Sequence, residues 1–208
     1  MRAIRGEILL MADWTNPQGR SGTPASGHLP ESPSIRALAI GAVASLVVLM
    51  GMVLLDQALR TPAAPNGIVS LELAGSLTAA QHILDSWPAA ARIQAGMSLG
   101  LDFSFLAAYA FTLAGACRKV ASYLPPEGTC CRSMGGILAK AAWGAGCLDV
   151  VENLALIKFL IGPPLAWPPV LAACCAWPKF GLAAVILLYI GLGGAVITVR
   201  RWRAPTSA

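Results

Sequence analysis

The sequence predicts an all-α integral membrane protein: a four-transmembrane-helix up-down bundle with an extracytoplasmic amphipathic helix in its first outer loop. Three observations carry this. The mean hydropathy is +0.66. Only 12% of the 208 residues are charged, against 56% hydrophobic. Four apolar stretches, residues 37–55, 93–117, 133–160 and 180–199, each reach or approach the ~20 residues that an α-helix needs to cross a bilayer. Spanning β-strands would be shorter and would alternate in polarity.

The elements follow in order. Residues 8–12 form an apolar run too short for a secretory signal, preceded by Glu7 and followed by no small-residue cleavage site. Met11 is as acceptable a start as Met1. From residue 13 the chain is rich in Gly, Pro, Ser and Thr without apolar periodicity, so residues 1–34 read as a disordered cytoplasmic tail. Residues 35–203 form the transmembrane domain. Its first and last spans carry no charge; the inner two carry Asp102, Lys140, Asp149, Glu152 and Lys158, yet stay too apolar for surface helices.

The outer loop, 56–92, has its own pattern. In "GIVSLELAG" Val69, Leu71 and Leu73 alternate with Ser70 and Glu72, which predicts an extended segment with one apolar face. Ser76 or Thr78 then caps a helix in which Leu77, Ala80, Leu84 and Trp87 share a stripe, with Gln81, His82 and Asp85 toward water. Such a helix lies on the outer membrane surface or across the bundle mouth, as plain cover or as a ligand-gating lid. A short cytoplasmic loop (118–132), a Pro/Trp-rich outer turn (161–178) and a basic tail ending in 204–208 complete the chain. Pro178 begins or kinks the last helix. Short connections make the last three spans antiparallel neighbours. Gly41 and Ser45, Ala142 and Gly146, and Gly191 and Ala195 offer faces for close helix approach.

Orientation follows from basic residues. With the N-terminus inside, the cytoplasmic side holds Arg2, Arg5, Arg20, Arg36, Arg118, Lys119, Arg132, Arg200, Arg201 and Arg203. The far side holds Arg60, Arg92, Lys158 and Lys179. Both termini are therefore expected in the cytoplasm, with Trp87, Trp167 and Trp177 near the outer interface. The net charge of +5 comes from this bias and does not point to nucleic acid, since no basic patch interleaved with aromatics is present. The six cysteines include no C-x-x-C pair, which argues against a disulfide oxidoreductase; they read as small hydrophobes. Neither His28 nor His82 has a companion at metal-ligand spacing. No cofactor and no resident metal are expected; membrane lipids are the first partners.

The charges inside the spans are the unusual feature. At about 1.5 Å per residue, Asp102 stands about 24 Å above Arg118, Asp149 and Glu152 about 25 and 30 Å above Arg132, and Lys179 about 31 Å above Arg200. Three helices thus bring ionisable groups to one layer toward the outer side. Asp149, Glu152 and Asn153 share a helix face, as do Asp102 and Tyr109. Lys158 lies nearly opposite Asp149 and should snorkel outward; Lys140 should snorkel toward the cytoplasm. Lys179 is the best cationic partner for the acids. Acids facing lipid would cost about 2.5–3.5 kcal/mol each, so they should face the bundle interior.

"GLDFSFLAAYAFTLA", "CLDVVENLALIKFL" and "WPKFGLAAVILLYI" resemble segments of an uncharacterised group of bacterial four-span inner-membrane proteins. The resemblance covers about residues 68–199 and implies a location but no activity. Three functions stay open. The polar layer (Asp102, Tyr109, Asp149, Glu152, Asn153, Lys179) binds or transports a small molecule, a cation or protons. Alternatively, two of its carboxyls act as acid and base on a lipid or isoprenoid, although no nucleophile–base pair or phosphate-cradling loop accompanies them. Or the layer is an ion-pair lock in a structural or partner subunit. Four helices leave little room for a path within one chain, so homo-oligomerisation accords with the first and third readings.

Overall fold

The computed structural model describes residues 33–124 and 129–203. The expected tail 1–34, apart from its last two residues, the choice between Met1 and Met11, the centre of the short loop and the tail 204–208 lie outside the described residues. Among those described there are six α-helices: α1 (Ile35–Asp56), α2 (Ile68–Glu72), α3 (Leu77–Ser86), α4 (Ala89–Tyr123), α5 (Thr129–Ile161) and α6 (Trp167–Arg203), with a 3₁₀ turn at Gln57–Leu59.

Three helical segments are long and apolar enough to cross a membrane: Ile35–Leu59, Ala89–Tyr123 and Trp167–Arg200. α5 is of similar length, 33 residues, but Lys140, Asp149, Glu152 and Lys158 lie along it. Ile40, Val43, Val47, Met50 and Leu54 on α1, and Leu187, Leu188 and Leu192 on α6, are exposed. Apolar faces this extensive suit lipid and not water. The chain is a multi-pass helical membrane protein.

α4 is the central helix. It packs on α1, α5 and α6, and α5 packs in turn on α6. The α4–α5 seam is antiparallel and keeps one register throughout: Gly96 meets Leu160, Gly146 meets Ala110, and Gly135 meets Ala121. Two of the three expected small-residue faces make such approaches. Gly41 lies against Thr112, and Ala142 is fully buried beside Gly146. The third does not: Gly191 faces open space, and Gly193 is the residue that lets α6 close onto Val120 of α4.

The predicted helices also run longer than their apolar cores. α6 was expected from residue 180 but starts at Trp167, so most of the expected outer turn is helix and Pro178 lies inside it. Pro168 and Pro169 sit in the first turn, where missing N–H groups cost nothing. Pro178 does leave the Cys174 carbonyl without its helical donor.

Residues 57–87 form a cap over the bundle end where α4 begins. Segment 67–75 was expected to be extended, but Ile68–Glu72 is helical. Gly67 enters it at φ 57°, and the Asp56 carboxylate accepts the Ile68 N–H at 2.8 Å, serving as a cap from twelve residues upstream. Ile68, Leu71 and Glu72 are consequently buried on one face. α3 forms as expected, with Ser76 accepting from the Ala79 N–H at 3.2 Å. Its stripe faces the bundle: Ala80, Leu84 and Trp87 join Leu59, Leu71, Leu99, Leu156 and Phe159 in one core. Trp87 was expected at the lipid interface, yet it is 2% exposed and donates Nε1–H to the Leu59 carbonyl at 2.8 Å. His82 and Asp85 face outward, as expected.

Gly67→Ala should loosen this cap. A β-carbon there would run into the Asp56 carboxylate, and a non-glycine residue at that φ adds about 1–3 kcal/mol of strain. The expected result is faster proteolytic cleavage and hydrogen exchange across 57–87, with α4–α6 still protected. Unchanged exchange would show that the cap does not depend on this turn.

Candidate functional site

Four elements build the polar cluster. α4 supplies Asp102 and, two turns on, Tyr109. α5 supplies Asp149, Glu152 and Asn153 from one face, since residues three and four apart are neighbours on a helix. α6 supplies Lys179, next to Pro178, and α2 supplies Glu72.

The structure brings all six expected residues together. Lys179 Nζ donates to Asp149 Oδ1 at 2.8 Å and to Glu152 Oε1 at 2.9 Å; it lies 2.9 Å from Glu152 Oε2 as well, so the ammonium straddles that carboxylate. The Phe180 ring centre lies 4.8 Å from the same Nζ, a distance at which the ring face attracts a cation. Tyr109 Oη donates to Asp149 Oδ2 at 2.9 Å. Asn153 Nδ2 donates to Asp102 Oδ2 at 2.6 Å. Lys140 and Lys158 are exposed and stay outside the cluster, as their positions on α5 require.

Glu72 is the member that sequence reasoning missed. Its carboxylate comes within 3.9 Å of Lys179 Nζ, and its side chain is buried instead of lying on the polar side of a strand. The signal was present, because Ile68, Leu71 and Glu72 fall on one side of a helix as readily as Leu71 and Glu72 fall on opposite sides of a strand. Gln94 and Ser98 were also missed. They precede Asp102 by two turns and one turn, and Gln94 Oε1 and Ser98 Oγ are buried without a hydrogen-bond partner.

Charge is unbalanced. Four carboxyls, Glu72, Asp102, Asp149 and Glu152, gather around one lysine, and none is more than 8% exposed. Buried charges in a low-dielectric interior must be paired, protonated or joined by another cation. Among the described residues no group of three or more His, Cys, Asp or Glu side chains is arranged to hold a metal ion. The six cysteines are free thiols, with Cys117 and Cys175 buried.

Glu72, which belongs to the cap, titrates above the ordinary glutamate value of 4.5. Burial is the largest cause; Asp149 and Asp56 push the same way, while Lys179 and a hydrogen bond with Glu152 oppose them. The folded protein therefore holds this proton more tightly than the unfolded chain does. The resulting stability is fully present below about pH 4.5 and is lost as pH rises through the higher folded value. Melting temperature should thus fall with rising pH over that window, and Glu72→Gln should flatten the curve. An unchanged slope in the variant would remove Glu72 as the cause.

No protein-family model matches the chain, nor does any curated protein sequence or solved structure. Fold and site together define a multi-pass helical membrane protein with a closed, interconnected acidic cluster inside its bundle.

Proposed function

We propose that the chain is a four-span protein of the bacterial inner membrane that binds or transports a small cation, the proton included, through its buried carboxylate cluster. The spans are α1, α4, α5 and α6. Both termini are cytoplasmic, and α2 and α3 cover the outer mouth. Arg118, Lys119, Arg132, Arg200 and Arg203 at the bundle end away from the cap support this orientation. The packing of α5 between α4 and α6 supports its counting as a span despite its charges.

The observation that carries the functional reading is the four-to-one ratio of buried carboxyls to lysine. A lock needs matched charges; an excess of acids needs a mobile positive charge or protons. Reconstitution into sealed vesicles tests it, with an internal pH dye and sodium-selective detection under imposed proton and sodium gradients. Uptake above that of protein-free vesicles is expected; no flux or binding of either ion would count against the reading.

One observation favours the ion-pair lock instead. Asp149 and Glu152 are 2% and 0% exposed and both hold Lys179 directly. In the transport reading this closed arrangement is the occluded state, and opening requires the cap to withdraw Glu72.

A further inference from the structure

The four carboxyls of the cluster are not equivalent. Lys179 gathers Asp149, Glu152 and Glu72, so that half carries one positive charge against three acids. Asp102, 7% exposed, instead meets the neutral Asn153 amide. It is a buried carboxylate to which no ammonium among the described residues is bound.

Two buried oxygens without partners belong to neighbours of Asp102: Asn153, which bonds to it, and Ser98, one turn before it on α4. Asn153 is 1% exposed; its Nδ2 is used on Asp102, and its Oδ1 is buried with no donor. Ser98 is also 1% exposed, and its Oγ has no partner. Ser98 and Asp102 are four apart on α4, about 6 Å along the axis. Helical side chains lean toward the helix N-terminus, which tilts the Asp102 carboxylate over the Ser98 turn.

Ser98, buried and without a partner, differs from three other hydroxyls in these helices. Hydroxyls inside helices commonly bond to the carbonyl four residues back. Ser45 does so to Gly41 at 2.8 Å, Thr112 to Ala108 at 2.7 Å and Thr198 to Gly194 at 2.9 Å. Ser98 forgoes that bond. A desolvated oxygen without a donor is costly, and two of them beside one uncompensated carboxylate call for a shared positive partner.

The donor set identifies its chemistry. A carboxylate, an amide oxygen and a hydroxyl are hard oxygen donors, which suit hard cations. One carboxylate matches a single positive charge, whereas divalent sites usually recruit more. The Lys179 half, with acids in excess, does not repel a cation placed beside it.

We propose that Ser98 Oγ, Asp102 Oδ1 and Asn153 Oδ1 form a binding subsite for a small alkali cation, sodium. This rests on the cation reading above and narrows it to one ion and one subsite.

The test uses the purified full-length protein, followed by thermal unfolding at neutral pH in sodium, potassium or choline chloride at constant ionic strength. A saturable rise in melting temperature specific to sodium is expected. Asp102→Asn should abolish that rise, and Ser98→Ala should shift it to higher sodium concentration. If Asp102→Asn does not fold, the shift in Ser98→Ala alone decides. No sodium-specific rise in the wild type, or a rise that Ser98→Ala leaves in place, overturns the subsite. So does an Asp102→Asn protein more stable than wild type with neither responding to sodium, because Asp102 then simply carries a proton. Proton flux in the vesicle assay would persist in those cases, so failure of the sodium subsite is separable from failure of the broader reading.

Discussion

Lys179→Met is expected to be the most damaging single change in the bundle, lowering stability by about 3–5 kcal/mol, the usual cost of removing one partner of a buried ion pair. The methionine fills much of the lysine's volume, so the loss is electrostatic. Asp149 and Glu152 would be left in contact with no ammonium, and Glu72 would add a third acid nearby. The decisive comparison is with Lys179→Met combined with Asp149→Asn and Glu152→Gln, which should recover most of the lost melting temperature. A single variant as stable as wild type would mean that the acids are already protonated and need no lysine. A combined variant no better than the single one would mean that Lys179 acts through packing.

The second large effect falls on the cap. Trp87→Ala should cost about 3–5 kcal/mol, the range for removing a buried large aromatic. Trp87 is among the largest fully buried side chains. It closes the core shared by α3, the 3₁₀ turn, the starts of α4 and α6 and the end of α5, and its indole N–H ties the cap to Leu59. Accelerated cleavage within 57–87 and a lowered melting temperature are the expected results. Trp87→Phe, which keeps most of the apolar area and loses only the hydrogen bond, should fall between the two. Equal damage by both variants would assign the effect to the Leu59 hydrogen bond and not to burial.

Much of this organisation was legible in the sequence, for reasons that particular residues make plain. Long apolar runs define spans because a bilayer demands them, and α1, α4 and α6 appear where three of the four runs lie. Counting rise per residue from basic anchors put Asp102, Asp149, Glu152 and Lys179 at one level; Lys179 meets Asp149 and Glu152 there, and Asp102 meets Asn153 on the same face of α5. That worked because antiparallel helices in register convert sequence distance into height.

The rest depended on contacts that local patterns do not encode. α2 has five residues, too few to distinguish a period of 2 from one of 3.6, so Glu72 was assigned to the wrong side. Its N-terminus is capped by Asp56, a side chain at the end of another helix. Trp87 looked like an interfacial indole because nothing local shows that Leu59 offers a carbonyl inside a core. Gly191 and Gly193 are indistinguishable by composition, and only the rotation of α6 against Val120 selects the second. Ser98 is an ordinary helical serine until its missing back-bond is seen beside Asp102.

The central claim is that the carboxylate cluster handles a cation and is more than a lock. The most direct measurement is on Asp149→Asn in sealed vesicles, with folding followed in parallel by circular dichroism and thermal melting. The variant keeps the shape of the side chain and can still accept from Lys179 through its one amide oxygen, while its Nδ2 turns toward the Tyr109 hydroxyl as a donor and one negative charge is removed. The account predicts a folded protein with cation or proton uptake reduced to the level of protein-free vesicles. A folded variant that takes up ions as the wild type does, or a variant that fails to fold beside a wild type showing no uptake, would contradict it.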